Sequence, residues 1–288
     1  MNENNQPSAS RVLKLAGFAS VLLATVAGPA TGFAQQSRES MANDATATQW
    51  SFQLAYQGML NYNQDTLSSG AVRPEGNKGF LQFRMVAPIP VKGGAAGGGV
   101  TILPRLTIRY TQNQQDEWGL SPTDLFALIV PLEWSWGRAG IGPDIVIPGK
   151  EGFGSTEWQY GLATAVIMRG LDEKLTFGLL LQQVWGKTDP SRPGEVVAGN
   201  FIVNPFANYA MGKGFYLATN DLQSQYNWDT KGLLVPIGLR FGYLLIKPKY
   251  TFNFYAEYAT SVYNDNWVAP AVKDQVRLNV SYQIPVGL

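Results

Sequence analysis

Residues 233–245 read LLVPIGLRFGYLL, a stretch carrying a single charge together with a proline and two glycines. A bilayer-spanning helix needs about twenty apolar residues, and a proline removes a hydrogen bond from any helix interior. Helix is therefore the weaker reading. With period two, Leu233, Val235, Ile237, Leu239, Phe241 and Tyr243 share one face, while Leu234, Pro236, Gly238, Arg240 and Gly242 share the other. That is a strand with one oily face and one face able to hold an arginine. A soluble sandwich and a membrane barrel both contain such strands, so the rest of the chain decides between them.

The same pattern recurs along the chain. In VRLNVSYQI, Val276, Leu278, Val280, Tyr282 and Ile284 oppose Arg277, Asn279, Ser281 and Gln283. Phe252, Phe254, Ala256 and Tyr258 oppose Thr251, Asn253, Tyr255 and Glu257; Trp158, Tyr160 and Leu162 oppose Gln159, Gly161 and Ala163. About a dozen such segments follow one another, each near the length at which a tilted strand crosses an outer membrane. The expected fold is all-β: an antiparallel transmembrane β-barrel of about 12 strands over residues 49–288.

The connections support this. Long ones at 63–78, 112–123, 187–199 and 264–273 alternate with short ones at 137–138, 170–174, 210–214 and 244–248, the glycine-rich 91–100 being the exception. Outer-membrane barrels sort their connections this way, with short periplasmic turns and longer external loops. An even strand number then places both chain ends in the periplasm. Trp134, Trp136, Tyr209, Phe215, Tyr243 and Tyr250 fall near one rim, and Tyr62, Trp158, Trp185 and Tyr263 near the other. Tyr and Trp favour these two water–membrane boundaries. A lumen rich in Arg, Gln, Glu and Asn would make a poor dry core for a soluble barrel.

Residues 1–34 read as an export signal: Arg11 and Lys14 precede an apolar run, and small residues stand before Gln35. Residues 35–48 are a polar periplasmic tail. Without that signal the acidic and basic residues balance, so nothing steers the chain toward nucleic acid. The chain has no cysteine and no histidine. The second absence removes the commonest general base, the usual nucleophile–base pairs and almost every zinc site.

Polar residues assigned to the lumen are Arg84, Arg105, Arg109, Glu133, Asp144, Glu157, Arg240, Glu257 and Arg277. They either line a selective pore or pair with one another and fill it. Twelve strands about 4.8 Å apart and tilted about 40° give a ring roughly 24 Å across. Side chains narrow that to about 10 Å. Proline recurs inside strands, at Pro88, Pro104, Pro131, Pro148, Pro205 and Pro236. Each lacks a ladder donor, which implies a bulge that bends the wall or missing rungs that permit a lateral opening.

NKGFLQFRMVAPIP (77–90), WGRAGIGPDIVIPG (136–149), WQYGLATAVI (158–167), NFIVNPFANYAMGKGFYLATN (200–220) and YNWDTKGLLVPIGLRFGY (226–243), in this order, resemble outer-membrane proteins labelled MetA-pathway phenol-degradation proteins, often mislabelled neuromedin U. The resemblance implies a bacterial outer-membrane barrel passing hydrophobic or aromatic compounds, with no catalytic residues to carry over. Two departures stand out: GKEGFGST replaces a threonine-rich stretch, and the chain ends in Leu288 rather than an aromatic.

The expected function is a passive, monomeric channel for small, hydrophobic or aromatic solutes, without enzyme activity, cofactor or metal. Its expected partners are outer-membrane lipid and lipopolysaccharide, the barrel-assembly machinery and the solute. Two alternatives stand beside it: a plugged structural or surface-binding barrel, and an outer-membrane enzyme using paired carboxylates among Glu133, Asp144 and Glu157.

Overall fold

Alternating faces become paired strands in the computed structural model of the protein, which describes residues 41–42, 48–67, 70–91, 100–186, 199–267 and 271–286. The export segment expected at 1–34 and most of the polar tail expected at 35–48 lie outside the described residues, as does most of the glycine-rich 91–100. Fifteen strand segments are present: β1 (Gln49–Tyr62), β2 (Lys78–Val86), β3 (Ile89–Val91), β4 (Val100–Gln112), β5 (Trp118–Leu120), β6 (Thr123–Trp134), β7 (Gly137–Ile147), β8 (Gln159–Gly170), β9 (Leu175–Gly186), β10 (Asn200–Gly212), β11 (Phe215–Thr219), β12 (Ser224–Asn227), β13 (Leu233–Ile246), β14 (Thr251–Asp265) and β15 (Val272–Pro285).

These segments form twelve staves. β3 continues β2 along β4, β5 leads into β6 along β4, and β11 and β12 share one place between β10 and β13. Pairing is antiparallel throughout, and the ring closes because β1 pairs with β15 while β9 pairs with β10. A closed ring leaves no edge strand, which is how a sheet can sit in hydrocarbon with its backbone satisfied. The rim holding the start of β1 and the end of β15 is the terminal rim; the opposite one is the loop rim.

Outward and inward rows fall as the period-two reading has them. Leu239 on β13 is 62% exposed and Leu278 on β15 61%, whereas Arg277, next to Leu278, and Glu257 on the intervening β14 are buried. Aromatic rings pair at both rims, Trp134 edge-on to Trp136 and Phe215 tilted against Tyr243 at the terminal rim, and Trp158 stacked on Tyr160 at the loop rim.

Turns at the terminal rim are displaced from where the sequence reading has them. The β6–β7 hairpin turns on Ser135 and Trp136, so Gly137 and Arg138 already belong to β7, and Leu244 to Ile246 belong to β13. The loop-rim connection between β12 and β13 is a short one, Trp228 to Gly232, in which Asn227 Oδ1 accepts from the backbone N–H groups of Asp229 and Thr230.

Two apolar clusters interrupt a polar interior. Leu103, Phe126, Leu128, Val130, Ala163, Ala165 and Leu180, on β4, β6, β8 and β9, form one, and Tyr216, Ala218, Leu244 and Tyr255 with Ala42, on the side of β11, β13 and β14, form the other. The sequence reading of a polar lumen did not include these apolar patches. Polar side chains face inward on both sides, Thr107, Asp144 and Gln182 on one and Asn253, Glu257 and Arg277 on the other.

Candidate lumenal site

The site begins with a defect in the wall. Between Thr219 and Ser224 the β11–β12 stave leaves its ladders, and Asn220 to Gln223 pair with neither neighbour as strand. Two prolines border this gap. Ala207 donates its N–H to Thr219 Oγ1 (3.0 Å), so Pro205, two residues earlier on β10, turns its nitrogen to the same side. Gly238 accepts from Asn220 N–H (3.2 Å), so Pro236 on β13 likewise faces the gap. Neither proline loses a rung there, because no partner strand offers one.

The excursion carries Asp221 into the bore. One carboxylate oxygen meets Arg84 Nη1 at 2.9 Å and Arg277 Nη2 at 3.6 Å; the other meets Arg240 Nη2 at 3.8 Å. Glu257 completes the layer: its Oε2 accepts from Arg240 (2.9 Å) and from the Asp221 backbone N–H (3.0 Å). Arg240 also lies over the Tyr255 ring, 4.0 Å from its centroid, and Arg277 donates to Gln57 Oε1 at 3.2 Å. Gln57 bonds Gln275 in turn. Three guanidiniums from three different staves thus converge on one loop carboxylate. Such a layer is rigid, since each charge holds another that would otherwise be desolvated and alone.

Two cavities meet at this septum. One of about 440 Å³ lies on the loop-rim side, bordered by Phe80, Arg109, Asp124 and Phe153, and one of about 140 Å³ lies toward the terminal rim, bordered by Arg105, Asn253 and Gln283. Arg84 and Asp221 border both. The smaller cavity is capped by Ala42, which packs inside the barrel against Tyr216, Ala218, Leu244 and Tyr255. Gln49 and Gln283 fix that seat by donating to the carbonyls of Met41 (2.9 Å) and Ala42 (3.0 Å).

Of the sequence-derived lumen residues, Arg84, Arg240, Glu257 and Arg277 come together in the septum. Arg105 and Arg109 point inward on β4, Arg105 over the ring of Phe126 at 4.1 Å. Asp144 is buried and accepts from Gln182 (2.8 Å), which also reaches Asp124 at 3.3 Å. Glu133 and Glu157 stand apart from these. Glu133 is near the terminal rim, 3.8 Å from Arg138, and Glu157 precedes β8 at the loop rim. Glu133, Asp144 and Glu157 are thus spread along the barrel and form no carboxylate pair with each other. Among the other prolines, Pro88 breaks β2 from β3, Pro131 sits in the β6 bulge between Ile129 and Leu132, Pro104 stays in register opposite Ala127, and Pro148 lies just past β7.

Asp221 itself was missed by the alternation, as was Asp124. A signal for the first exists: Asn220-Asp221 interrupts an alternating run with two strand-averse, turn-prone residues.

No family model matches the chain, and no curated protein sequence matches it. Among solved structures, the COG4313 outer membrane channel from Pseudomonas putida F1 superposes with a TM-score of 0.58 at 13% identity, over 82% of this chain and 94% of that one. The two share a fold. That fold is a closed, twelve-stave antiparallel β-barrel. Weaker likenesses, with TM-scores of 0.48 and 0.45, are to the KdgM porin (10% identity; 81% and 98% covered) and to outer membrane phospholipase A from Escherichia coli (12% identity; 82% and 89% covered).

Proposed function

We propose that this chain is a monomeric channel of a bacterial outer membrane, passing small solutes through the polar cavities of its bore. The observation that carries the reading is the pair of cavities meeting at a single ion-pair layer, Asp221 with Arg84, Arg240 and Arg277. A barrel serving only as a wall or a surface scaffold has no need of space on both sides of so thin a septum. The barrel fold and the export-like leading residues support the location, with both termini periplasmic and the rim of short turns facing that side. Small, hydrophobic or aromatic solutes are the class suggested by the MetA-like sequence runs. Lipid, lipopolysaccharide and the barrel-assembly machinery are the remaining partners. Enzyme activity has no place in this reading: the chain has no histidine, and the carboxylates first considered for acid–base work stand apart.

A plugged structural barrel is the second reading, favoured by Ala42 seated in the bore. Swelling of liposomes holding the purified mature chain separates the two. A channel admits small sugars, amino acids and aromatic acids at rates that fall with solute size; swelling no faster than in protein-free liposomes overturns the proposal and leaves the plugged barrel.

A further inference from the structure

Among the described residues, two guanidiniums in the bore hold no carboxylate. There Arg109 donates from Nε to Gln82 Oε1 at 3.2 Å, and Arg105 lies against Phe126 with its buried Nε unpartnered. Neither stands within ion-pair distance of an acid among the described residues. The nearby carboxylates of Asp124 and Asp144 share the side-chain amide of Gln182 instead.

Arg84, Arg105 and Arg109 also form a series. Arg105 and Arg109 flank Thr107 on the inward face of β4, and Arg84 on the adjoining β2 pairs with Thr107 and donates to its hydroxyl at 3.4 Å. Arg109 borders the loop-rim cavity, Arg84 borders both, and Arg105 borders the terminal-rim cavity. One row of guanidiniums therefore crosses the septum from one space to the other.

We infer that the bore takes small organic anions, specifically monocarboxylates on a compact apolar body, handed from Arg109 past Arg84 to Arg105. A guanidinium fork matches a carboxylate, and one removed from water gains most from an anion that can bond it. The body has its own seat: Phe80, Phe153 and Met59 border the loop-rim cavity with Arg109, and about 440 Å³ is a volume in which a small ring fits. Asp221 is the resident carboxylate at the middle station. An arriving carboxylate exchanges with it for Arg84, while Asp221 keeps Arg277 and Arg240 at 3.6 and 3.8 Å. The passage thus opens by exchange of one carboxylate for another, with no charge left bare.

This inference rests on the channel reading for its direction of travel but not for its ligand, so binding is measured without transport. Purified chain in detergent is titrated with benzoate, with benzamide as the neutral isostere, and with acetate as the charge without the ring. Benzoate is expected to bind about tenfold or more tightly than either, since one charge-assisted pair and one buried ring are each worth that factor. Arg109→Gln is expected to lose about tenfold for benzoate with little change for benzamide, and Arg109→Lys to recover part of the loss. Equal affinity for benzoate and benzamide, or benzoate binding unchanged in Arg109→Gln that still shows the parent's heat-modifiable gel mobility, overturns the inference. Solute entry into liposomes without benzoate binding sinks this ligand class and leaves the channel. Benzoate binding without solute entry sinks the channel and leaves the ligand.

Discussion

Asp221 reaches Arg84 across the bore, carboxylate oxygen to guanidinium nitrogen at 2.9 Å, from a stave that has left both of its ladders to do so. The hydrogen bonds given up in the wall are exchanged for a charged layer inside it.

Replacing Asp221 with Asn leaves Arg84, Arg240 and Arg277 facing one another with Glu257 as their remaining acid in the layer. Breaking a buried ion network by removing one partner is expected to destabilise the barrel by about 3 kcal/mol. Urea unfolding in lipid vesicles, followed by tryptophan fluorescence, checks this; a midpoint equal to the parent's contradicts a shared role for the carboxylate.

Pro205 and Pro236 turn their nitrogens toward the gap at Asn220 to Gln223. A Pro205→Val, Pro236→Val double variant supplies two donors there, and residues 220–223 are expected to join the ladder and draw Asp221 out of the bore. Amide exchange measures it: protection at 220–223 rises in the variant if the prolines hold the gap open. The bulge at Pro131 has a different partner set, so Pro131→Val is expected to leave those residues unchanged.

Gly242 leaves room for the Tyr216 ring, which is fully buried and donates to Asn253 Oδ1 at 2.8 Å. A Cβ on Gly242 would overlap that ring. Gly242→Val is expected to cost about 2 kcal/mol through overpacking, read as a lowered thermal midpoint, whereas Gly170→Ala, with open space around it, is expected to be neutral.

Ala42 packs among Tyr216, Ala218, Leu244 and Tyr255 at the terminal rim. Ala42→Glu places a charge against that apolar seat and is expected to drive the residue out, raising solute flux through the terminal rim. Flux equal to the parent's would show that this seat does not limit passage.

The faces of the wall were legible in the sequence because period two admits only two arrangements, and burial of Glu257 and Arg277 opposite exposed Leu239 and Leu278 follows from it. Which of the inward charges meet was not. The turns already set Glu133 and Glu157, beside Trp134 and Trp158, at opposite rims, but alternation alone gives them the same polar face as Arg84 and does not say that they stand outside its ion-pair layer. Asp221 was hidden for a related reason: a run read as one continuous strand has no place for an inward excursion, and the two prolines that permit it lie on other staves. The larger apolar cluster was hidden too. Ala163 and Ala165 read as inward-facing, but their packing with Phe126, Leu128 and Leu180 depends on which staves become neighbours across the bore.

Single-channel recording of the purified mature chain in a planar bilayer, beside Asp221→Ala, tests the septum and the passage together. Discrete current steps are expected from the parent and larger ones from Asp221→Ala, in which the carboxylate that closes the layer is gone. Silent membranes for both proteins, from material shown to be folded and inserted, would contradict the existence of a passage through this bore.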